Sequence, residues 1–176
     1  MFASTVKRLV LSRNYATDAI FNTCHMYNRS VVRVQGSESA EFLQGLMTND
    51  IEHLDVEEEP TPKAIFAMFL NTQGRVMFDT FIVKTNPEEY LIDCDKYICE
   101  KFVKHLKMYK VRRKLNIEQL LDMHVYGSFN TNREEVSPSQ CQKDDRIVFQ
   151  DPRLKSLGAR FFRKDMDMDR QTAYLT

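Results

Sequence analysis

The chain lacks a net charge, a long apolar run and paired cysteines, and each absence excludes a class of protein. Lysine and arginine together number 25, and so do aspartate and glutamate. No overall field therefore draws the chain to nucleic acid or to an anionic membrane. No stretch approaches the roughly eighteen apolar residues that a membrane-spanning helix needs. Apolar residues still make up 43% of the 176 residues, so we expect one soluble globular domain without a membrane span.

The spacing of cysteine and histidine does not predict a metal centre. No CxxC pair occurs among the cysteines, which are Cys24, Cys94, Cys99 and Cys141. The histidines are scattered along the chain at His25, His53, His105 and His124. A self-contained zinc or iron–sulfur site needs such ligands at close, regular spacing. We therefore expect no metal to be bound by this chain alone, and we interpret Cys94 and Cys99 as small core residues.

The first 17 residues have the composition of a mitochondrial transit peptide. They carry Lys7, Arg8 and Arg13, and no acidic residue precedes Asp18. On a helix their apolar and basic side chains separate onto two sides, as transit peptides require. We predict import into the mitochondrial matrix, with a disordered tail as the alternative.

Apolar periodicity predicts an α+β fold, a mostly antiparallel sheet with helices packed on one side. Helices are expected from Ser37 or Ser39 to residue 46 and over residues 95–109, the second capped by Asp95. Residues 64–70 are apolar on both faces, which favours a buried central strand. The turn at residues 71–74 makes a hairpin with the next strand, and Gly74 is available for a positive φ. Strands are predicted at residues 30–35, 64–70, 75–84, 90–95, 114–118, 123–129 and 146–149, with an exposed loop at 130–145.

Asp79 is the strongest candidate for function. It falls in an apolar strand, on the same face as Met77, Phe81 and Val83. An uncompensated polar group in such a setting costs about 2–7 kcal/mol, so we expect a ligand or a basic neighbour to compensate the carboxylate. The alternative is an edge-strand aspartate that simply reaches water.

A basic cluster follows the second predicted helix. Its members are Lys107, Lys110, Arg112, Arg113 and Lys114. Cations are favoured at a helix C-terminus, so a solvated helix end is one interpretation. The other is an anion site for a polyglutamate tail or an acidic partner. Nucleic acid is disfavoured, because no aromatic residues interleave the charges as stacking platforms.

Four blocks in order resemble the aminomethyltransferase-like family, which includes the glycine-cleavage T-protein. They are FLQGLMTND at residues 42–50, LNTQGRVMFDTFIV at 70–83, KHLKMYKVRRKLNIE at 104–118 and FQDPRLKSLGARFF at 149–162. They are most similar to its mitochondrial branch, the folate-binding-like iron–sulfur cluster assembly factors related to bacterial YgfZ. The resemblance covers residues 30–162. It implies a folate-binding domain over residues 28–163, followed by a polar tail at 164–176.

The resemblance implies a maturation factor for [4Fe-4S] proteins that works with A-type scaffold proteins and client enzymes. It also implies a possible tetrahydrofolate ligand, because Asp79 matches a folate-contacting aspartate of the family. Further positions that match family blocks, and so are candidates for the same cleft, are Asn49, Arg75, Tyr109 and Arg112.

The chain also departs from the family pattern. Gly74-Arg75 and Phe78-Asp79 stand where the T-protein has Gly-Gly and two adjacent aspartates. The assembly branch carries a later Lys-Gly-Cys-aromatic-x-Gly-Gln-Glu motif, and no Gly-Gln-Glu occurs here. We therefore expect a truncated member of the family. The alternatives to an assembly factor are a folate-dependent aminomethyl transferase and an inactive fragment.

Overall fold

The structure is a computed structural model, and it describes residues 21–55, 62–130 and 135–165. The predicted transit peptide at residues 1–17 lies outside these ranges, as does most of the predicted polar tail. The domain bounds proposed from the sequence stay predictions.

Strands dominate the described residues. The strands are β1 Phe21–His25, β2 Arg29–Gln35, β3 Ala64–Leu70, β4 Val76–Asn86, β5 Glu89–Asp95, β6 Asn116–Leu120, β7 Met123–Asn130, β8 Arg146–Gln150 and β9 Ala159–Lys164. The helices are α1 Ser39–Gln44, α2 Cys99–Lys110 and the short α3 Pro138–Cys141, with 3-10 turns at Ile51–Leu54 and Lys155–Leu157.

The strands form two antiparallel sheets. The five-stranded sheet has the order β3-β4-β5-β2-β6, and the four-stranded sheet has the order β1-β7-β9-β8. The chain passes from one sheet to the other between β1 and β2 and again between β6 and β7. The predicted α+β class with a mostly antiparallel sheet is confirmed, although the sequence had suggested one sheet rather than two.

Each face of the five-stranded sheet buries apolar residues against a different layer. On one face, α2 places Phe102 and Leu106 against the sheet, and the rings of Phe69 and Phe102 meet at 4.9 Å. On the other face, Phe81 and Val83 pack against the four-stranded sheet. Fully burying side chains of this size contributes about 1.5–3 kcal/mol each, so both interfaces stabilise the domain.

β3 lies at the edge of its sheet, and the prediction of a central position is wrong. Its free edge is occupied by the segment that follows α1, where Met47 forms a bridge to Phe69. The N–H of Thr48 donates to the carbonyl of Met68, and the Thr48 hydroxyl accepts from the N–H of Met68. A loop therefore covers the strand edge, which explains how an edge strand can be apolar on both faces.

α2 begins four residues later than predicted. Asp95 does not cap it, because Oδ1 of Asp95 accepts a 2.7 Å hydrogen bond from the N–H of Tyr97 and so closes a local turn. Aspartate often satisfies its own neighbouring backbone in this way instead of capping a helix.

Candidate functional site

Asp79 is exposed, and the buried setting that the sequence predicted for it is wrong. Its side chain is 55% exposed, although Phe81 and Val83 farther along the same face are buried. Met77, which precedes Asp79 on that face, is 45% exposed. The four-stranded sheet packs on Phe81 and Val83, and in the described part of the chain no second layer covers the beginning of β4. Hydration therefore accounts for the Asp79 charge without a compensating ligand.

Asp93 on β5 is the carboxylate that the fold encloses. Its side chain has no exposed surface. Nε of Arg29 donates to Oδ1 at 2.6 Å, and Nη1 of Arg160 donates to Oδ2 at 3.0 Å. Burial raises the pKa of Asp93, and the guanidiniums of Arg29 and Arg160 oppose that shift. Both arginines offset the cost of burying this carboxylate, so the loss of either one would destabilise the folded domain.

A second carboxylate, Asp151, extends the network at the end of β8. It accepts two side-chain hydrogen bonds from Arg153, at 3.0 and 2.8 Å, and one from Arg160 at 3.2 Å. Burial acts to raise the pKa of Asp151, but the Arg153 hydrogen bonds and the nearby guanidinium charges outweigh it. The pKa of Asp151 therefore lies below its ordinary value.

Gly158 fixes the loop that carries Asp151 and Arg153. It has a φ of +85°, and a Cβ at this position would lie 2.1 Å from the carbonyl oxygen of Ser128. Its own carbonyl accepts a 3.0 Å hydrogen bond from the N–H of Asp151. Only glycine fits this close approach.

Three guanidiniums surround the ring of Phe81. The guanidinium carbons lie 4.1 Å from the ring centroid in Arg160, 4.8 Å in Arg153 and 5.7 Å in Arg29. These distances are within the range of a cation–π interaction, in which the cation is more often arginine than lysine. Phe81 is thus the apolar centre about which the charged side chains are arranged.

We call this group of residues the arginine–aspartate cluster. Its members are Arg29, Asp79, Asp93, Asp151, Arg153 and Arg160. Asp79 belongs to it through Arg29, whose Nη1 lies 3.9 Å from Oδ2 of Asp79. Because Asp79 is largely exposed and the two atoms are 3.9 Å apart, this ion pair contributes little to stability.

The cluster has a closed interior and an open end. Asp93 and Asp151 are buried, whereas Asp79 is 55% and Arg153 42% exposed. The open end presents a hydrogen-bond acceptor and a fixed cation to solvent. This combination suits a polar ligand that carries both N–H donors and an anionic group. The guanidiniums stay protonated and cannot act as bases.

Asn49 and Arg75 lie at the margins of the β3–β4 hairpin. The side-chain amide of Asn49 donates to the carbonyl of Phe66 at 3.0 Å, and its Oδ1 accepts from the N–H of Asp50. The Asn49 side chain therefore connects the loop after α1 to the edge of β3 by a hydrogen bond. Arg75 is exposed in the turn, where its N–H donates to Oδ1 of Asn71. Their role in binding a ligand stays a prediction.

Tyr109 and Arg112 lie on the helix side of the five-stranded sheet, on the face opposite to Asp79. Tyr109 is half-buried against His105, at a ring distance of 4.9 Å. Both line a shallow open depression of about 540 Å³ at the end of α2. The structure therefore places Tyr109 and Arg112 on the sheet face opposite to Asp79, and the five candidates do not line one cleft among the described residues.

The sequence reasoning missed most of the cluster. Asp93 lies in the apolar segment YLIDC, and Arg160 lies between Ala159 and Phe161 in β9. A charged residue inside a short apolar run predicts a buried charge that needs a partner. This pattern could have identified Asp93 and Arg160 from the sequence. Arg29 carries no comparable signal, because it follows a turn.

The described residues contain no group of three or more His, Cys, Asp or Glu side chains that could hold a metal ion.

Cys94 and Cys99 are buried in the core, which confirms their interpretation as core residues. The hydrogen bond with Cys94 lowers the pKa of Cys99 to about 7. Among the described helices none is long and apolar enough to cross a membrane.

Comparison with known proteins identifies clear relatives, although no family model matches the chain. The mouse protein named iron–sulfur cluster assembly factor IBA57, mitochondrial, is 30% identical over 168 residues, covering 89% of this chain and 47% of the mouse protein. The human protein of the same name is 29% identical over 78% of this chain and 41% of its own length. The Dictyostelium discoideum homologue is 30% identical over 76% of this chain and 39% of its own length. The chain thus spans less than half the length of these relatives.

A solved structure has the same fold. The aminomethyltransferase T of the glycine cleavage system from Bartonella henselae matches with a TM-score of 0.63, over 89% of this chain and 45% of the bacterial one. The two sequences are 10% identical over this match, so the likeness concerns the fold alone.

Proposed function

The chain belongs to the family of mitochondrial iron–sulfur cluster assembly factors, and we propose that it supports cluster assembly in the mitochondrial matrix. We propose further that its targets are proteins that acquire a [4Fe-4S] cluster. Because the chain spans less than half the length of its relatives, this activity is proposed for the segment within a complete factor.

The similarity to the mouse assembly factor across 89% of the chain is the observation that carries the proposal. The relatives are named as mitochondrial proteins, and the composition of the first 17 residues is that of a matrix-targeting peptide. The localisation therefore has support from two independent features. The proposed partners, A-type scaffold proteins and [4Fe-4S] client enzymes, follow from the family relationship.

We infer that a reduced folate, such as tetrahydrofolate, binds at the open end of the arginine–aspartate cluster. A pterin ring carries adjacent N–H groups that can donate hydrogen bonds to a carboxylate such as that of Asp79. The glutamate tail of a folate carries carboxylates that can accept hydrogen bonds from the Arg153 guanidinium. The exposed fractions of Asp79 and Arg153 leave both groups accessible. The chemistry of these two polar groups is what supports the proposal.

Aminomethyl transfer is not part of the proposal. The likeness to the bacterial aminomethyltransferase rests on the fold, at 10% identity, and a shared fold does not imply a shared reaction. The open end of the cluster offers one carboxylate and arginines, and arginine cannot serve as a general base.

A chimera of the mouse relative tests the proposal. Residues 28–163 of this chain replace the aligned segment of the mouse factor, and the chimera is expressed in cells that lack the factor. We expect recovery of the activity of aconitase, a [4Fe-4S] enzyme.

The matched control is the same chimera without its targeting peptide. It should accumulate in the cytosol and leave aconitase activity low. A chimera that folds, reaches the matrix and still leaves aconitase at the level of the deficient cells would contradict the proposed function.

A further inference from the structure

α2 ends in a tight turn whose backbone geometry normally needs glycine. Val111 has a φ of 49° and a ψ of −107°. The N–H of Arg113 donates a 3.0 Å hydrogen bond to the carbonyl of Lys110. These are the features of a type II′ turn with Val111 at its first central position, where glycine dominates. A β-branched valine therefore adopts a conformation that its own side chain opposes.

Packing does not explain this strain. The Val111 side chain is 81% exposed, so it gains little from burial in return for the unfavourable backbone. Val111 is also the one non-glycine residue with a positive φ among residues that the structure describes. Strained residues persist where the strain serves function, and here the strain projects an apolar side chain into solvent.

The surroundings of Val111 have the composition of a binding surface. Met108, one helical turn earlier, is 65% exposed and adjoins Val111 at i, i+3 spacing. Lys107, Lys110 and Arg112 are the neighbours of these two residues in the sequence, and none of the three forms an ion pair with a carboxylate in the parts of the chain described here. An exposed apolar centre within a charged rim is the usual anatomy of a protein interface, in which methionine and arginine are enriched.

The neighbouring acidic residues are already engaged. Glu41 pairs with Arg113 at 3.0 Å, and Glu38 accepts a 2.8 Å hydrogen bond from the N–H of Lys114. Both line the depression beside Val111. The positive charge of Lys107, Lys110 and Arg112 is therefore left available to a partner.

We propose that the Met108 and Val111 side chains, with Lys107, Lys110 and Arg112 around them, dock an acidic protein partner. The partner presents apolar side chains that pack on Met108 and Val111, and carboxylates beside them pair with the three cations. Complementary charge sets the orientation of such a complex, and the apolar contact supplies affinity. This surface lies on the sheet face opposite to Asp79, so the proposal is independent of folate binding.

A protein partner fits this surface better than an anionic membrane. Only two apolar side chains project from it, because the apolar stripe of α2 packs against the sheet. A membrane-binding helix instead presents a continuous apolar face.

Selection from a phage-displayed library of random peptides, each about twelve residues long, tests the proposal on the full chain. We expect enrichment of peptides in which Asp or Glu flanks Leu, Ile, Phe or Met. The enriched peptide is then titrated against variants by fluorescence anisotropy. Val111→Gly and Arg112→Glu should each weaken binding by about tenfold. The control Leu121→Gly removes an equally exposed side chain in the β6–β7 turn, and it should leave affinity unchanged.

Several results would overturn the proposal. One is a selection without acidic, apolar peptides, and another is an affinity that either Val111→Gly or Arg112→Glu leaves unchanged. Sedimentation with vesicles of about four parts phosphatidylcholine to one part cardiolipin, abolished by the same two variants, would assign the surface to a membrane. Thermal unfolding of each variant establishes that it is folded.

Discussion

Nε of Arg29 donates a 2.6 Å hydrogen bond to Oδ1 of Asp93, in the interior between the two sheets. Arg160 from the other sheet binds the second oxygen of the same carboxylate. Asp93 therefore connects β2, β5 and β9 through charged hydrogen bonds. The open end of the arginine–aspartate cluster, with Asp79 and Arg153, is built on this buried connection.

Replacing Asp93 should destabilise the domain strongly. Asp93→Asn removes the carboxylate that Arg29 and Arg160 share, although each guanidinium is about nine-tenths buried. Asp151 alone then pairs with Arg160, and only the distant, exposed Asp79 remains near Arg29. The free energy of unfolding should fall by about 3–5 kcal/mol, as measured by urea denaturation. The control Glu118→Gln removes a carboxylate, 40% exposed, that pairs with Arg33, and should cost less than about 1 kcal/mol. Equal losses in the two variants would contradict the account of the cluster.

The contribution of Asp151 should depend on pH in the acid range. Its folded-state pKa is depressed, so its stabilisation is fully present above the unfolded pKa of about 4. That stabilisation is lost as the pH falls through the lower, folded-state pKa. At pH 7, Asp151→Asn should lower the free energy of unfolding by about 2 kcal/mol. The difference from the wild type should shrink below about pH 4. A difference that stays constant to pH 3 would argue against a depressed pKa.

Relieving the strain at Val111 should stabilise the protein. Val111→Gly removes a strain of about 1–3 kcal/mol and adds the entropic cost of glycine, about 0.5–1 kcal/mol. The melting temperature should therefore rise, as followed by circular dichroism. Leu121→Gly, which relieves no positive φ, should instead leave the melting temperature unchanged or lower it. A Val111→Gly variant less stable than the wild type would show that the valine side chain supports the fold.

A carboxylate enclosed in an apolar strand does need charged partners, but the enclosed one is Asp93 and not Asp79. Asp79 and Asp93 both lie within apolar strands, and alternation alone does not reveal how far a second layer extends over each strand. The four-stranded sheet covers the position of Asp93 and stops short of Asp79. That boundary is set by contacts between residues distant in sequence, which local patterns do not encode.

Local signals predicted the regular elements well where the chemistry was local. The hairpin turn at Gly74 has the expected positive φ, at 75°, and β3 has the predicted bounds. The position of β3 at the sheet edge was not predictable, because the loop at Met47 and Thr48 that covers it is a tertiary contact. The strain at Val111 was equally hidden, since nothing in the sequence KVRR indicates a type II′ turn.

Calorimetric titration of tetrahydrofolate into the chimeric factor tests the site most directly. We expect saturable binding to the unmodified chimera and about tenfold weaker binding to Asp79→Asn, because a charged hydrogen-bond acceptor is lost. Asp55→Asn is the matched control, since Asp55 is also about half exposed and pairs with Lys84 instead; its affinity should be unchanged. Equal affinity of Asp79→Asn and the unmodified chimera would contradict the assignment of the open end of the cluster as the ligand site.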